Sequence, residues 1–163
     1  MIAARPSQPT AAVGDRRPAV RAARDLWRAL PGDLVGRVVI ALSGTRATRI
    51  VDVEGAGRVV LVEDPRLGRW LDAIPRDPTA MTFGHVVLAR TPLSDRLVRH
   101  ETEHVRQWAR LGPFFLPAYL LAGVVARLGG ADSYNGNRLE RAAVEASERP
   151  TAIRAVAGYD SDT

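Results

Sequence analysis

The chain has 163 residues, with 23 basic against 18 acidic side chains and a formal net charge of +5; every basic residue is arginine and cysteine is absent. That length suits one domain with its own core, and the missing cysteine excludes a disulfide scaffold, thiolate metal sites and a cysteine nucleophile. The basic balance points toward phosphates only weakly. Acids are scattered among the arginines and no arginine run is interleaved with aromatics, so no nucleic-acid partner is expected.

Residues 1–20 hold Pro6, Pro9 and Pro18, three arginines and a single acid, Asp15. They lack the apolar core of a secretory signal, so a disordered arm and, by default, a cytoplasmic location are expected. Arg21 to Leu30 predicts a short helix carrying Leu26, Trp27 and Leu30, stopped at Pro31-Gly32. The β-branched runs Arg37 to Leu42, Thr48 to Val53 and Arg58 to Val62 are separated by Ser43-Gly44-Thr45 and by Glu54 to Gly57. They predict an antiparallel meander.

Glu63 to Pro78 is rich in Pro and Asp and predicts at most one short helix, around Trp70, Leu71 and Ile74. A fourth strand is expected over Thr82 to Ala89. Beyond Thr91-Pro92 the pattern is helical over 93–111, 114–128 and 138–148, punctuated by Gly112-Pro113 and Gly129-Gly130. Residues 151–163 predict a flexible tail. The apolar run Phe114 to Ala126, interrupted by Pro117, is shorter than the ~20 residues that span a bilayer. It predicts a helix buried under the domain, with lying on a membrane as the alternative, and no membrane span. Strands first and helices second make an α+β domain over 21–150, the meander packed on the helical half.

The chemistry-bearing segment is His100-Glu101-Thr102-Glu103-His104, an H-E-x-x-H pattern. On a helix, residues four apart share a face, so both imidazoles can reach one zinc ion while the adjacent glutamate acts on a water as general base. On a helical wheel, Arg96, Arg99, Glu103, Arg106, Gln107 and Arg110 form a polar side. Leu97, Val98, Val105, Trp108 and Leu111 mark the core side. His100, Glu101 and His104 lie on or beside that apolar stripe, where an inward glutamate is costly without a metal, a hydrogen bond or a proton.

A catalytic zinc usually has three protein ligands and one open position. With no cysteine, the third ligand is an acid or His85. Glu140 shares a side with Ala143 and Val144, whose small neighbour Ala143 lets that helix lie close to the zinc helix; Glu145 groups with a charged, solvated face. Glu140 is the better candidate, against the competing possibility that Asn137-x-x-Glu140 is a capping box in which Glu140 bonds the Asn137 amide. His85 can line the cleft or be an ordinary strand residue facing solvent. Tyr134 can donate a hydrogen bond to a tetrahedral intermediate or simply pack.

These residues resemble the zincin metallopeptidases, in particular small bacterial zincin-like domains whose third ligand is a glutamate on a later helix. The matching pattern is His100-Glu101-x-x-His104-x-x-Gln107, then Gly112-Pro113 and Leu116-Pro117, then Tyr134-x-x-Asn137-x-x-Glu140-x-x-Ala143, spanning residues 82–147. The resemblance implies an active-site helix, an edge strand over Gly84 to Ala89 beside the cleft, zinc held by His100, His104 and Glu140, and Glu101 as general base. One departure stands out: Ala143 is followed by Val144, where many such proteins carry an aspartate that orients a ligand histidine. The expected function is zinc-dependent hydrolysis of a peptide or protein substrate. The alternative is a zinc-stabilised, non-catalytic protein-interaction domain.

Overall fold

The computed structural model describes residues 17–45 and 48–156. Most of the arm and the last residues of the tail therefore lie outside the described residues. The first element departs most from expectation. Helix α1 runs over Arg17–Ser43, through Pro31 and through the run expected to be the first strand. Proline removes one backbone donor from a helix interior, and tertiary contacts hold the remainder. Ala29, Gly32 and Gly36 are its buried face, small enough for its backbone to touch the sheet. A Cβ on Gly32 would come within 2.4 Å of the Gly84 amide nitrogen, and one on Gly36 within 2.8 Å of Val86 Cβ.

Strands β1 (Thr48–Val53) and β2 (Gly57–Glu63) form the antiparallel hairpin read from sequence, with Ile50 opposite Val60. A 3-10 turn over Pro65–Leu67, capped by Asp64, leads into the one-turn helix α2 (Gly68–Leu71). The expected fourth strand is two: β3 (Ala80–Phe83) and β4 (Val86–Ala89), antiparallel across a Gly84-His85 turn. Gly84 has φ +62°, and Asp33 Oδ1 and the Ala29 carbonyl leave no room for a Cβ there.

Strand β4 pairs with β2 in parallel, so the sheet is mixed, in the order β3-β4-β2-β1-β5, rather than a pure meander. The fifth strand, β5 (Ile153–Ala155), lies within the stretch expected to be tail and pairs antiparallel with β1, which supplies the register that a three-residue strand cannot supply alone. The edge strand at the other side is β3; β4 is interior, which corrects the Gly84 to Ala89 edge.

The last three helices follow the sequence expectation closely: α3 (Asp95–Leu111), α4 (Phe115–Leu128) and α5 (Arg138–Glu148). Ser94 caps α3 and Asn137 caps α5 through their side-chain oxygens. One core joins Val51, Val53, Val59, Leu61 and Val87 of the sheet to Val98 and Val105 of α3. A second joins Val62, Val86 and Leu88 to Leu67 and Leu71, with Val39 and Ile40 of α1 packed against it. The architecture is α+β, with helices on both faces of the sheet.

Helix α4 is not buried under the domain. Only Phe115, Gly123 and Ala126 of it are buried, while Leu120, Leu121, Val124, Val125 and Leu128 are exposed.

Candidate metal and catalytic site

Helix α3 turns Glu101, His104 and Gln107 inward along with Val98, Val105 and Trp108. Leu97 and Leu111, placed on the core side by the wheel, are instead exposed. Gln107, placed on the polar side, is buried. Helix α5 crosses α3 on the small residues Ala143 and Ala146, which are buried at the contact. Arg99 fastens the pair, its Nε donating to the Ser147 carbonyl at 3.0 Å.

This crossing brings His100, His104 and Glu140 together. Glu140 Oε2 lies 3.4 Å from His100 Nε2, and Oε1 lies 3.4 Å from His104 Nε2. One potential ligand atom from each of the three residues falls within 4.8 Å of the others, a grouping that can hold a metal ion. Glu140 does not act as the capping box predicts. The Asn137 amide donates to the Tyr134 carbonyl, and the cap at this helix is Asn137 Oδ1 accepting from the Leu139 amide. Glu140 Oε2 is buried and accepts no hydrogen bond. An orphaned, buried carboxylate oxygen facing His100 Nε2, with the other oxygen of the same carboxylate facing His104 Nε2, completes a donor set that fits a divalent cation.

The surroundings fix the ligands' orientation. Gln107 Nε2 donates to the Leu139 carbonyl at 3.0 Å, so its Oε1 must be the atom 2.9 Å from His104 Nδ1. An amide oxygen only accepts, so Nδ1 carries the hydrogen and the other ring nitrogen, Nε2, is left facing Glu140. Tyr119 of α4 donates its hydroxyl to Glu140 Oε1. Asn137 Nδ2 holds the Tyr119 carbonyl at 3.0 Å, tying α4 to the start of α5. Phe115 and Tyr119 also pack their rings against His104, at 6.0 and 6.1 Å between centroids.

Electrostatics follow from this packing. Burial pulls the His104 imidazolium down, but the Glu140 hydrogen bond, the Glu101 and Glu140 charges and Gln107 outweigh it and push the group up to about 9. Burial raises Glu140, yet the His100 and His104 imidazoles paired with it and the Tyr119 hydrogen bond hold its carboxyl far below the usual range. Burial first, and then Glu140, keep the Tyr119 hydroxyl protonated well beyond the ordinary phenol range.

Glu101 is buried one residue after His100. Thr82 Oγ1 of the edge strand β3 donates to its Oε2 at 2.6 Å, and Trp108 Nε1 donates to the Thr82 carbonyl at 3.1 Å. The strand is thereby latched to α3 at the general-base candidate. Tyr134 lines a cleft with Glu140, Arg141 and Val144. Burial and the Glu140 charge push its hydroxyl above the usual range too. Val144, at the position of the absent aspartate, is exposed in the cleft wall.

His85 is not brought to this cluster by any contact in the structure. It sits in the β3–β4 turn, where its amide donates to Asp33 Oδ1 and its Nδ1 lies 3.2 Å from Asp33 Oδ2, fastening the hairpin to α1. Tyr119 and Thr82 are residues that sequence reasoning missed, and Gln107, part of the matching pattern, is placed by the wheel on the polar outer face with no role yet is buried. Gln107 carries a signal, its position three residues after His104 on the same helix; Tyr119 is hidden in an apolar run, and Thr82 is placed only by tertiary structure.

Compared with protein-family models, curated proteins and solved structures, the chain matches none.

Proposed function

We propose that the protein is a zinc-dependent hydrolase acting on a peptide bond. The observation that carries this is the meeting of His100, His104 and Glu140, whose ligand atoms lie within 4.8 Å of one another, with the Glu140 Oε2 atom left without a hydrogen bond. Two imidazoles and a carboxylate form a borderline donor set suited to zinc. A zinc ion held there supplies Lewis acidity toward a water and a carbonyl oxygen.

The chain's own groups perform the proton chemistry. Glu101 takes the proton of the attacking water and passes it to the leaving amine. Thr82 holds one carboxylate oxygen of Glu101, which directs the other toward the reacting water. The Tyr134 hydroxyl, kept protonated by burial and the Glu140 charge, is a donor for the developing oxyanion, while Tyr119 spends its one hydrogen on Glu140 Oε1. The substrate peptide lies extended along β3, the edge strand, adding main-chain hydrogen bonds to its free side.

The test is cleavage of a quenched peptide library by purified protein, wild type against Glu101→Gln. Turnover that disappears in Glu101→Gln while zinc content stays equal supports the hydrolase.

A second function draws on the closure of the site, with Glu140 at 4% and His104 at 9% side-chain exposure. Closed sites are typical of structural zinc. A zinc-stabilised interaction domain predicts no cleavage by wild type and an unaltered phenotype in Glu101→Gln.

A further inference from the structure

Helices α1 and α4 are built inside out. The inner face of α1 is Ala29, Gly32 and Gly36, whereas Leu26, Trp27, Leu30, Leu34, Val35, Val38 and Leu42 all point outward. Trp27 is 73% exposed. Beyond the buried Phe115 of its first turn, helix α4 repeats the pattern: Gly123 and Ala126 face in, while Leu120, Leu121, Val124, Val125 and Leu128 face out, with Phe114 just before it 71% exposed. Helix α1 packs on the Gly112–Phe114 turn that leads into α4; a Cβ on Gly112 would lie 3.3 Å from Arg28 Cβ. Exposed apolar side chains in such numbers on two helices mark an interaction site.

Charge selects the occupant. Arg24, Arg28 and Arg37 on α1 and Arg127 on α4 are exposed on the two helices. Helix α4 contains no acid. Of the two acids between Arg24 and Leu42, Asp25 pairs with Arg24 at 3.7 Å and Asp33 is turned inward onto His85. A second copy docked by two-fold symmetry would set Arg28, Arg37 and Arg127 against one another, with Asp25 already on Arg24 and Asp33 turned inward. An anionic lipid surface meets both features, taking the apolar side chains and the arginines together, and Trp27 and Phe114 suit its interface.

Geometry says that such a surface is lain upon rather than crossed. An 18-residue window within Asp95–Leu128 has a mean hydropathy of 1.6 and is only 22% buried. Helix α4 has 14 residues, about 21 Å of helix against a hydrocarbon core of about 30 Å. The preceding α3 carries His100 and His104 and packs on the sheet.

We propose that the outward faces of α1 and α4 dock the protein on an anionic bilayer surface. This goes beyond the hydrolase and does not depend on a metal. Phe115 and Tyr119 on the opposite side of α4 pack against His104, so docking holds the candidate site about one helix diameter, ~10 Å, from the lipid.

The experiment is sedimentation of the purified full chain with vesicles of phosphatidylcholine alone and of phosphatidylcholine with 30 mol% phosphatidylglycerol (a composition chosen for the test, roughly that of an anionic membrane), alongside its solution mass. The expected result is binding to the anionic vesicles, weakened by salt and at least ~10-fold weaker in Leu120→Glu/Val124→Glu. Arg127→Glu, which leaves the apolar face intact, is expected to lose at least ~5-fold. Circular dichroism melting of each variant separates lost docking from lost folding, and Leu120→Ser/Val124→Ser serves if the glutamate pair does not fold. No sedimentation of folded wild type with anionic vesicles overturns the proposal. So does binding unchanged in the folded variants, or a dimer that Leu120→Glu dissociates, which assigns the face to a second copy.

Discussion

Gln107 Oε1 lies 2.9 Å from His104 Nδ1, and the same side chain donates to the Leu139 carbonyl. One amide therefore orients a candidate ligand and joins α3 to α5. Partners of this kind typically matter 10–100-fold for metal affinity or activity. Gln107→Leu is expected to weaken zinc binding by that factor, measured by competition with a chromophoric chelator. Undiminished affinity in a folded Gln107→Leu protein would show that His104 needs no such partner.

Thr82→Val removes the hydroxyl that holds Glu101 Oε2. A buried carboxylate losing its partner costs about 1–3 kcal/mol. The variant is expected to melt at lower temperature, to keep its zinc, and to lose turnover about tenfold with little change in KM. A fall in KM with unchanged kcat contradicts the positioning role.

The metal-free protein has a pH signature of its own. His104 rises from 6.5 to about 9 on folding. A raised pKa stabilises the fold fully below pH 6.5, and that contribution fades as pH climbs through about 9. Denaturant unfolding in EDTA is expected to show lower stability at pH 9 than at pH 6.5. Zinc must displace the His104 proton, so its apparent affinity rises across the same interval. Pairing holds Glu140 below its ordinary 4.5, so its contribution is present above pH 4.5 and is lost in stronger acid. A metal-free protein more stable at pH 9 than at pH 6.5 contradicts the His104 sign, and one more stable at about pH 2 than at about pH 5 contradicts the Glu140 sign.

Gly84→Ala places a Cβ 2.1 Å from Asp33 Oδ1 at φ +62°. The His85–Asp33 contacts must then break or the α1 docking must shift. A loss of at least ~2 kcal/mol is expected in denaturant unfolding. Ala at a solvent-facing glycine such as Gly68, where nothing lies within 4 Å, is the control.

What was legible in the sequence depended on which side of each element carried the bulky residues. Helices α3 and α5 have polar outer faces and capping residues, so period and ends agreed with the structure. Helix α1 has its glycines inside and its leucines outside, and Pro31-Gly32 imitates a stop. Its Val38-Val39-Ile40 segment looks like a strand because β-branched residues favour strands only in the absence of tertiary contacts that hold a helix. The Gly84 turn splits Thr82 to Ala89 because Asp33, 51 residues earlier in sequence, closes over it. At the site, His100, Glu101, His104 and Glu140 were visible through spacing and face. Tyr119 and Thr82 were not, since their roles arise from helix crossing and strand docking.

The most direct test is elemental analysis of protein expressed in zinc-replete medium and dialysed without chelator, wild type beside His100→Ala, His104→Ala and Glu140→Ala. Three residues converging on one ion predict about one zinc per chain in wild type and well below one in each folded variant. Wild type without metal, or Glu140→Ala retaining a full equivalent, would contradict the site.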